Sequence, residues 1–310
     1  MTASDSGSAP PVVAVVGPTA AGKSGLAVEI ALALRGEVVN GDSMQIYRGM
    51  DIGTAKLTVA ERRGVPHHLL DLLDVHEPST VAQFQRQARL AIADCRRRGV
   101  PPVLVGGSAL YLRAVLDRFE IPGTDPAVRA RLERELASEG AAALHARLAT
   151  LDPAATAAIL PTNGRRLVRA LEVVEVTGRP FRATLPEHVY AVDPAVQVGI
   201  DVPRDVLDAR IEQRVRRMWD AGFVDEVRGL AEAGLAEGRT ASQALGYRQV
   251  LAYLAGEGSE ERAFTETVSR TRRFARRQDS WFRRDPRIGW LPYDASDLTA
   301  RALDAVRCSA

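Results

Sequence analysis

GPTAAGKS at residues 17–24 constrains the fold more than any other stretch of the chain. It fits G-x-x-x-x-G-K-[ST] at every fixed position, and the apolar run VVAVV stands directly before it. The segment that follows, SGLAVEIALALRG, sets Leu26, Ile30 and Leu34 on one helical face. A strand, a glycine-rich turn and a helix in that order converge backbone N–H groups on an anion at a helix N-terminus. Lys23 adds a full positive charge and Ser24 a hydroxyl suited to magnesium. Gly17, Pro18, Thr19, Ala20, Ala21, Gly22, Lys23 and Ser24 are thus read as a phosphate cradle opening an α/β unit.

The pattern continues along the chain. EVVNG predicts a second strand over 37–41, running into a loop that carries Asp42. HHLLDLLDV predicts a third short strand, and PPVLVGG a buried one ending in two glycines. Between them TVAQFQRQARLAIADCRRRG aligns Val81, Phe84, Ala88, Ala91 and Cys95, which makes Cys95 a core residue. The texture changes near residue 117, where Asp125 and Pro126 have the sequence of a helix start. No strand pattern interrupts 125–178, and QVGIDV at 197–202 resumes it. The expected architecture is a P-loop NTPase-like α/β fold, a mostly parallel sheet with an inserted all-helical domain. Its parts are a flexible leader over 1–11, a catalytic core over 12–116 and 181–296, a helical insertion over 117–180 and a tail over 297–310.

Composition excludes more than it assigns. Two cysteines, Cys95 and Cys308, make no disulfide framework, and five scattered histidines make no zinc pattern. The polar, acidic leader is no signal peptide and VVAVV is too short to span a bilayer, so a cytoplasmic location without membrane attachment is expected. The formal charge of +2 does not imply nucleic acid by itself. Its distribution is more telling. Lysine occurs twice, as Lys23 and Lys56, and arginine supplies the other 39 of 41 basic residues. Eight arginines crowd residues 270–287, with Phe274, Trp281 and Phe282 among them. Such a segment either binds RNA backbone and stacks a base, or anchors a core-facing helix by its aromatics. Arg165, Arg166 and Arg169 form a second basic cluster within the insertion.

A nucleotide hydrolase needs more than a cradle. VLVGG ends in glycine where a second magnesium-binding aspartate belongs, and no base-recognition motif such as NKxD follows. Asp42 is the best remaining carboxylate, read either as a loop cap or as a general base or metal partner. Ser108 brings a hydroxyl to the end of the buried strand. Arg210, Arg214 and Arg217 share a helical face that either meets the phosphate or is simply solvated.

These segments together resemble the tRNA dimethylallyltransferases, also called tRNA isopentenyltransferases, over about residues 12–290. The resemblance rests on GPTAAGKS, DSMQIYRGMDIGTAK, PHHLLD, VGGSALYLRAVL, NGRRLVRALEV, RIEQRVRRM, LGYRQV and RRFARRQDSWFRR, in that order. DSMQIYRGMDIGTAK is the most specific of them. The resemblance implies transfer of the dimethylallyl group of dimethylallyl diphosphate to N6 of adenosine 37, in tRNAs reading codons that begin with U. It implies Mg²⁺ at Ser24, a diphosphate held by the cradle with Ser108 and Arg214, and catalysis by Asp42, Lys23 and Arg214. On the anticodon stem-loop side it implies contacts from Asp42, Ser43, Met44 and Gln45. Further contacts would come from Arg165, Arg166 and Arg169, and from Arg273, Arg277, Gln278 and Trp281. GGSALY replaces the family's commoner GGTGLY, and ARRQDSWF replaces AKRQxTWF; each keeps the main functional group. A monomer needs no extra assumption. The competing readings are a P-loop small-molecule kinase and a non-catalytic RNA-binding protein.

Overall fold

Residues Val12–Val16 form β1, a strand with no exposed residue on either face. Such a strand must be covered on both sides, which is the condition of a parallel sheet flanked by helices. The computed structural model describes residues 9–181 and 187–308. The predicted flexible leader falls largely outside them, since residues 1–8 are not among those described.

In chain order β1 leads to α1 (Lys23–Leu34), β2 (Glu37–Asn40), β3 (His67–His68), α2 (Val81–Arg97), β4 (Pro102–Val105) and α3 (Ala109–Leu116). Then come α4 (Pro126–Leu151), α5 (Pro153–Ala157), α6 (Gly164–Thr177), β5 (Ala195–Asp201), α7 (Arg204–Asp220) and α8 (Phe223–Glu232). The chain closes with α9 (Tyr247–Leu254), α10 (Glu260–Phe282), β6 (Ile288–Pro292) and α11 (Leu298–Arg307). The six strands pair in the order β3-β2-β4-β1-β5-β6, every pair parallel. Alternate residues of β1 serve opposite cores. Val12, Ala14 and Val16 pack in the cluster that holds Phe84, Leu112 and Phe223. Val13 and Val15 join Ile30 of α1 and Val306 of α11 on the other face. The expected tail over 297–310 thus contains a helix that closes one face of the sheet.

The third strand is shorter than HHLLDLLDV suggests. Leu69 and Asp71 have φ of 61° and 56°, which no strand accommodates. The chain turns instead, and the amides of Leu72 and Leu73 donate to the Ile46 carbonyl at 2.7 and 3.0 Å. PHHLLD thereby becomes a support for the loop that carries Asp42.

The chain folds as two compact units, Arg118–Val189 and the sequence on either side of it. In the smaller unit Asp125 caps α4, its Oδ1 accepting from Ala127 N at 2.8 Å and Val128 N at 3.1 Å. Gly140, at φ 83° and ψ 169°, breaks α4 into two arms. Leu132, Leu144, Leu148, Leu167 and Leu171 fill the space between the arms and α6. Each such buried leucine stabilises the unit by about 1.5–3 kcal/mol relative to exposure.

Candidate active site

β1 and β4 lie side by side at the centre of the sheet, and glycine-rich turns leave the carboxyl ends of both. Gly17 and Gly22 have φ of 132° and 102°, conformations that suit glycine. α1 then begins at Lys23 with no side-chain cap and no acidic residue in its first turn. Its leading amides are therefore left for an external anion. Lys23 Nζ donates to the Pro18 carbonyl at 2.6 Å. Burial, reinforced by the nearby Arg214 charge and opposed by Asp42, pushes the Lys23 pKa down to about 7. Burial also lowers that of Arg214, which Asp42 holds up and Arg217 lowers further. Two confined cations thus face one carboxylate, an arrangement that a polyanion would stabilise.

β2 delivers that carboxylate. Asn40 at its end is buried, and its side chain donates to the carbonyls of Asp42 at 2.9 Å and Leu69 at 3.0 Å while accepting from Asp42 N at 2.9 Å. Asp42 Oδ1 accepts from Met44 N at 2.8 Å. Its Oδ2 accepts no hydrogen bond from the described residues. The two readings of Asp42 are therefore compatible: one oxygen caps the loop and the other is free to take a proton. Gln45 donates through Nε2 to Thr54 O at 3.1 Å, and Arg214 Nη2 reaches the same carbonyl at 3.3 Å. The three-arginine face of α7 thus splits. Arg214 turns to the site, Arg210 stacks on Tyr293 at 4.6 Å from the ring centroid, and Arg217 is exposed.

The hydroxyls of Ser24 and Ser108, both half-buried, have no hydrogen-bond partner among the described residues. Beside the cradle lies a small cavity of about 20 Å³, with Ser24, Asn40, Gln45 and His67 as polar lining and Val38, Leu57, Leu70 and Val105 as apolar lining. Ser43 is buried, and Met44 packs against the core beside it. Thr19 N donates to Gln278 Oε1 at 2.9 Å, and Gln278 Nε2 donates to Gly107 O at 2.8 Å. Gln278, grouped with the RNA-facing side chains in the sequence reading, is therefore buried and staples the cradle to the GGS turn. A Cβ on Gly107 would lie 2.5 Å from its Nε2, so the glycine makes room for the staple.

The basic segment also divides. Arg270, Arg272, Arg283 and Arg287 are paired with Glu266, Glu212, Asp201 and Asp117 respectively. Arg273, Arg276, Arg277 and Arg284 are exposed, with no acidic partner among the described residues. Phe282 enters the core at 4% exposure while Trp281 stands out at 39%. The face of α10 that carries Arg273, Arg277 and Trp281 thus has both charge and a ring to offer. In the smaller unit Arg165 and Arg166 are exposed, but Arg169 bonds to Glu172 and to the carbonyls of Pro122 and Gly123. That ties Arg169 to its own unit.

Glu37, His68 and Cys95 form a separate cluster. The Arg98 guanidinium bonds both oxygens of Glu37 and, with smaller contributions from His68 and Cys95, holds its pKa at about 2. Burial first, then Glu37, pushes the Cys95 thiol up to about 11, as befits a core thiol with no nucleophilic task.

The sequence reading missed Asn40, Asp71 and Glu226. Lys56 appears there as one of two lysines and as the last residue of DSMQIYRGMDIGTAK, without a role of its own.

A family model described as IPP transferase matches residues 45–285. The tRNA dimethylallyltransferase of Thermobifida fusca is 64% identical over 300 residues, covering 95% of this chain and 94% of that one. The crystal structure of the tRNA isopentenylpyrophosphate transferase from Bacillus halodurans is similar, with a TM-score of 0.70 and 40% identity, over 96% of this chain and 95% of that one. A eukaryotic dimethylallyltransferase acting on tRNA superposes with a TM-score of 0.79 at 26% identity, over 95% of this chain and 77% of that one.

Proposed function

Because the chain belongs to the tRNA dimethylallyltransferase family, we propose that it transfers the dimethylallyl group of dimethylallyl diphosphate to N6 of adenosine 37 in tRNAs reading codons that begin with U. The observation that carries this reading is the free Asp42 Oδ2 within electrostatic reach of Lys23 and Arg214. A base and an anion cradle share one site, so nucleophile and leaving group meet there.

The adenine amine is a weak nucleophile because its lone pair is delocalised into the ring. Asp42 Oδ2 accepts a hydrogen bond from N6–H and takes its proton as nitrogen bonds to the allylic carbon. The carbon–oxygen bond breaks and its electron pair leaves with the diphosphate. Lys23, Arg214 and the α1 amides, fixed beforehand, stabilise that charge. The Ser24 and Ser108 hydroxyls are hard oxygen groups left unbonded beside the cradle, which fits Mg²⁺ chemistry. Ser24 would hold the ion, and Mg²⁺ would supply further neutralisation of the diphosphate. Gln45 Oε1 accepts no hydrogen bond from the described residues and is available to an adenine edge.

Incubating unmodified tRNA with the protein, magnesium and dimethylallyl diphosphate is expected to add one dimethylallyl group in place of hydrogen, with one diphosphate released per tRNA and no ATP used. Intact donor and unaltered RNA in the presence of folded protein would overturn the reading. Consumption of ATP without tRNA would favour a small-molecule kinase.

RNA contact is assigned to Arg165 and Arg166 and to the α10 face of Arg273, Arg276, Arg277, Trp281 and Arg284. Replacing the four unpaired α10 arginines by glutamine is expected to flatten the slope of log K against log salt by about 3. Stability should move by no more than about 0.5 kcal/mol per substitution, because none of the four has an acidic partner among the described residues and the Arg277 stack on Phe274, at 5.8 Å, is loose. An unchanged salt slope would remove this face from the RNA site. A tRNA substrate supports a cytoplasmic place of action, and a monomer needs no further assumption. Among the described residues no helix is long and apolar enough to cross a membrane.

A further inference from the structure

Residues 51–56 are pinned at both ends, although no substrate role accounts for the pinning. The Glu226 carboxylate on α8 gathers four donors. Its Oε2 accepts from Asp51 N at 3.1 Å and Ile52 N at 2.7 Å. Its Oε1 accepts from Gly53 N at 3.2 Å and the Tyr247 hydroxyl at 2.6 Å. Three consecutive amides on one ionised side chain are charge-assisted bonds, individually stronger than neutral ones. The aromatic pair behind them fits only glycine at position 53, where a Cβ would collide with the Phe223 ring and lie 2.5 Å from that of Tyr247.

Lys56 fixes the other end. Its side chain is 3% exposed, and Nζ donates to Tyr47 O at 2.9 Å, Asp51 Oδ1 at 2.6 Å and Asp71 Oδ1 at 2.5 Å. Three acceptors around one point suit an ammonium group and not a planar guanidinium fork. This chain uses arginine for 39 of its 41 basic residues, yet keeps lysine here and in the cradle. Between the two pins lies Thr54, whose carbonyl accepts from both Gln45 and Arg214.

We propose that Lys56 and Glu226 are positioning residues that fix the Thr54 carbonyl as a common anchor for Gln45 and Arg214, so that one loop sets the acceptor-base site and the diphosphate site together. The inference rests on the prenyl-transfer reading of Gln45 and Arg214. A loop misplaced by about 1 Å is enough to cost two orders of magnitude in rate.

The test uses the full-length protein with Glu226→Gln and Lys56→Arg, and Tyr247→Phe as a milder variant that removes one donor and keeps the ring. Hydrogen exchange reports the loop whether or not the protein is active. In Glu226→Gln the amides of residues 51–53 are expected to exchange at least about tenfold faster, while the sheet core stays protected. With saturating magnesium, kcat/KM for both tRNA and dimethylallyl diphosphate should fall about 10- to 100-fold in Glu226→Gln and in Lys56→Arg. Tyr247→Phe should show the same two-substrate loss in smaller measure. Lys56→Arg keeps the charge, so recovery of wild-type kinetics in that variant would overturn the positioning role. In a double-mutant cycle, Gln45→Ala should cost less in the Glu226→Gln background than in wild type, because the anchor is already loose. Strictly additive effects, or faster exchange at 51–53 with unchanged kcat and KM, would also overturn it. Failure of the prenyl-transfer reading would look different: no modified tRNA from wild type, with the exchange response of residues 51–53 intact.

Discussion

Asp42→Asn is expected to lower kcat about 100- to 10,000-fold, the range of a lost general base, while tRNA affinity stays within about twofold. The substitution separates the two tasks of this side chain. Asparagine keeps an oxygen for the Met44 amide, so the loop cap survives. The atom replacing Oδ2 is an NH₂ group, which donates where the adenine amine also donates. Proton removal is lost and the geometry is retained. Diphosphate affinity should hold or tighten, because one negative charge facing the anion has gone. Single-turnover prenylation and equilibrium tRNA binding check the two halves separately. A kcat within about tenfold of wild type would deny Asp42 the base role. Parallel losses in kcat and tRNA affinity would make it a binding residue.

The local parts of this site were legible because short-range chemistry specifies them. A cradle needs its glycines, lysine and serine in one unbroken run, and a strand and helix must flank it. The parts that were not legible depend on partners distant in sequence. Gln278 lies 259 residues from Thr19, whose amide it accepts. Only the packing of α10 beside the sheet makes it a staple and Arg273 a surface residue. The adjacent pair Trp281 and Phe282 shows the same limit, since composition alone could not say which ring turns inward. Glu226 gave no sequence signal, being one acid among 39 acidic residues, and its meaning appears only against the amides of residues 51–53. HHLLDLLDV misled because its apolar content suits a strand while Leu69 and Asp71 adopt left-handed φ to brace the Asp42 loop. α11 leaves little trace in the sequence because only Ala302 and Val306 of its ten residues are buried, a weak apolar stripe.

Binding of dimethylallyl diphosphate to the free protein is expected to take up a proton above neutral pH, and Lys23→Met to abolish that uptake. In the free protein Lys23 titrates near 7, with burial as the main cause. A bound diphosphate stabilises the charged form and raises the pKa. Well below pH 7 the ammonium is already present and Lys23 takes up almost nothing, whereas at pH 7 about half a proton is taken up. Above it, binding must first protonate the amine, so uptake approaches one proton by about pH 8.5 and affinity falls up to about tenfold per pH unit. Calorimetry in buffers of different ionisation heat measures the uptake directly. The same shift has a stability consequence of fixed sign. The unfolded chain holds this proton up to the ordinary lysine value of 10.5, whereas the folded chain gives it up near 7. Folding of the free protein therefore gains from rising pH between those values, and the penalty of the buried charge is fully present below 7. Lys23→Met should accordingly stabilise the free protein at pH 6 and lose that advantage toward pH 10. It should also slow prenyl transfer about 100- to 1,000-fold, the scale of one lost preorganised charge partner at a developing anion. Uptake that persists in Lys23→Met would assign the titrating group elsewhere. Unchanged turnover in that variant would mean that the α1 amides, Arg214 and the metal suffice to carry the leaving group.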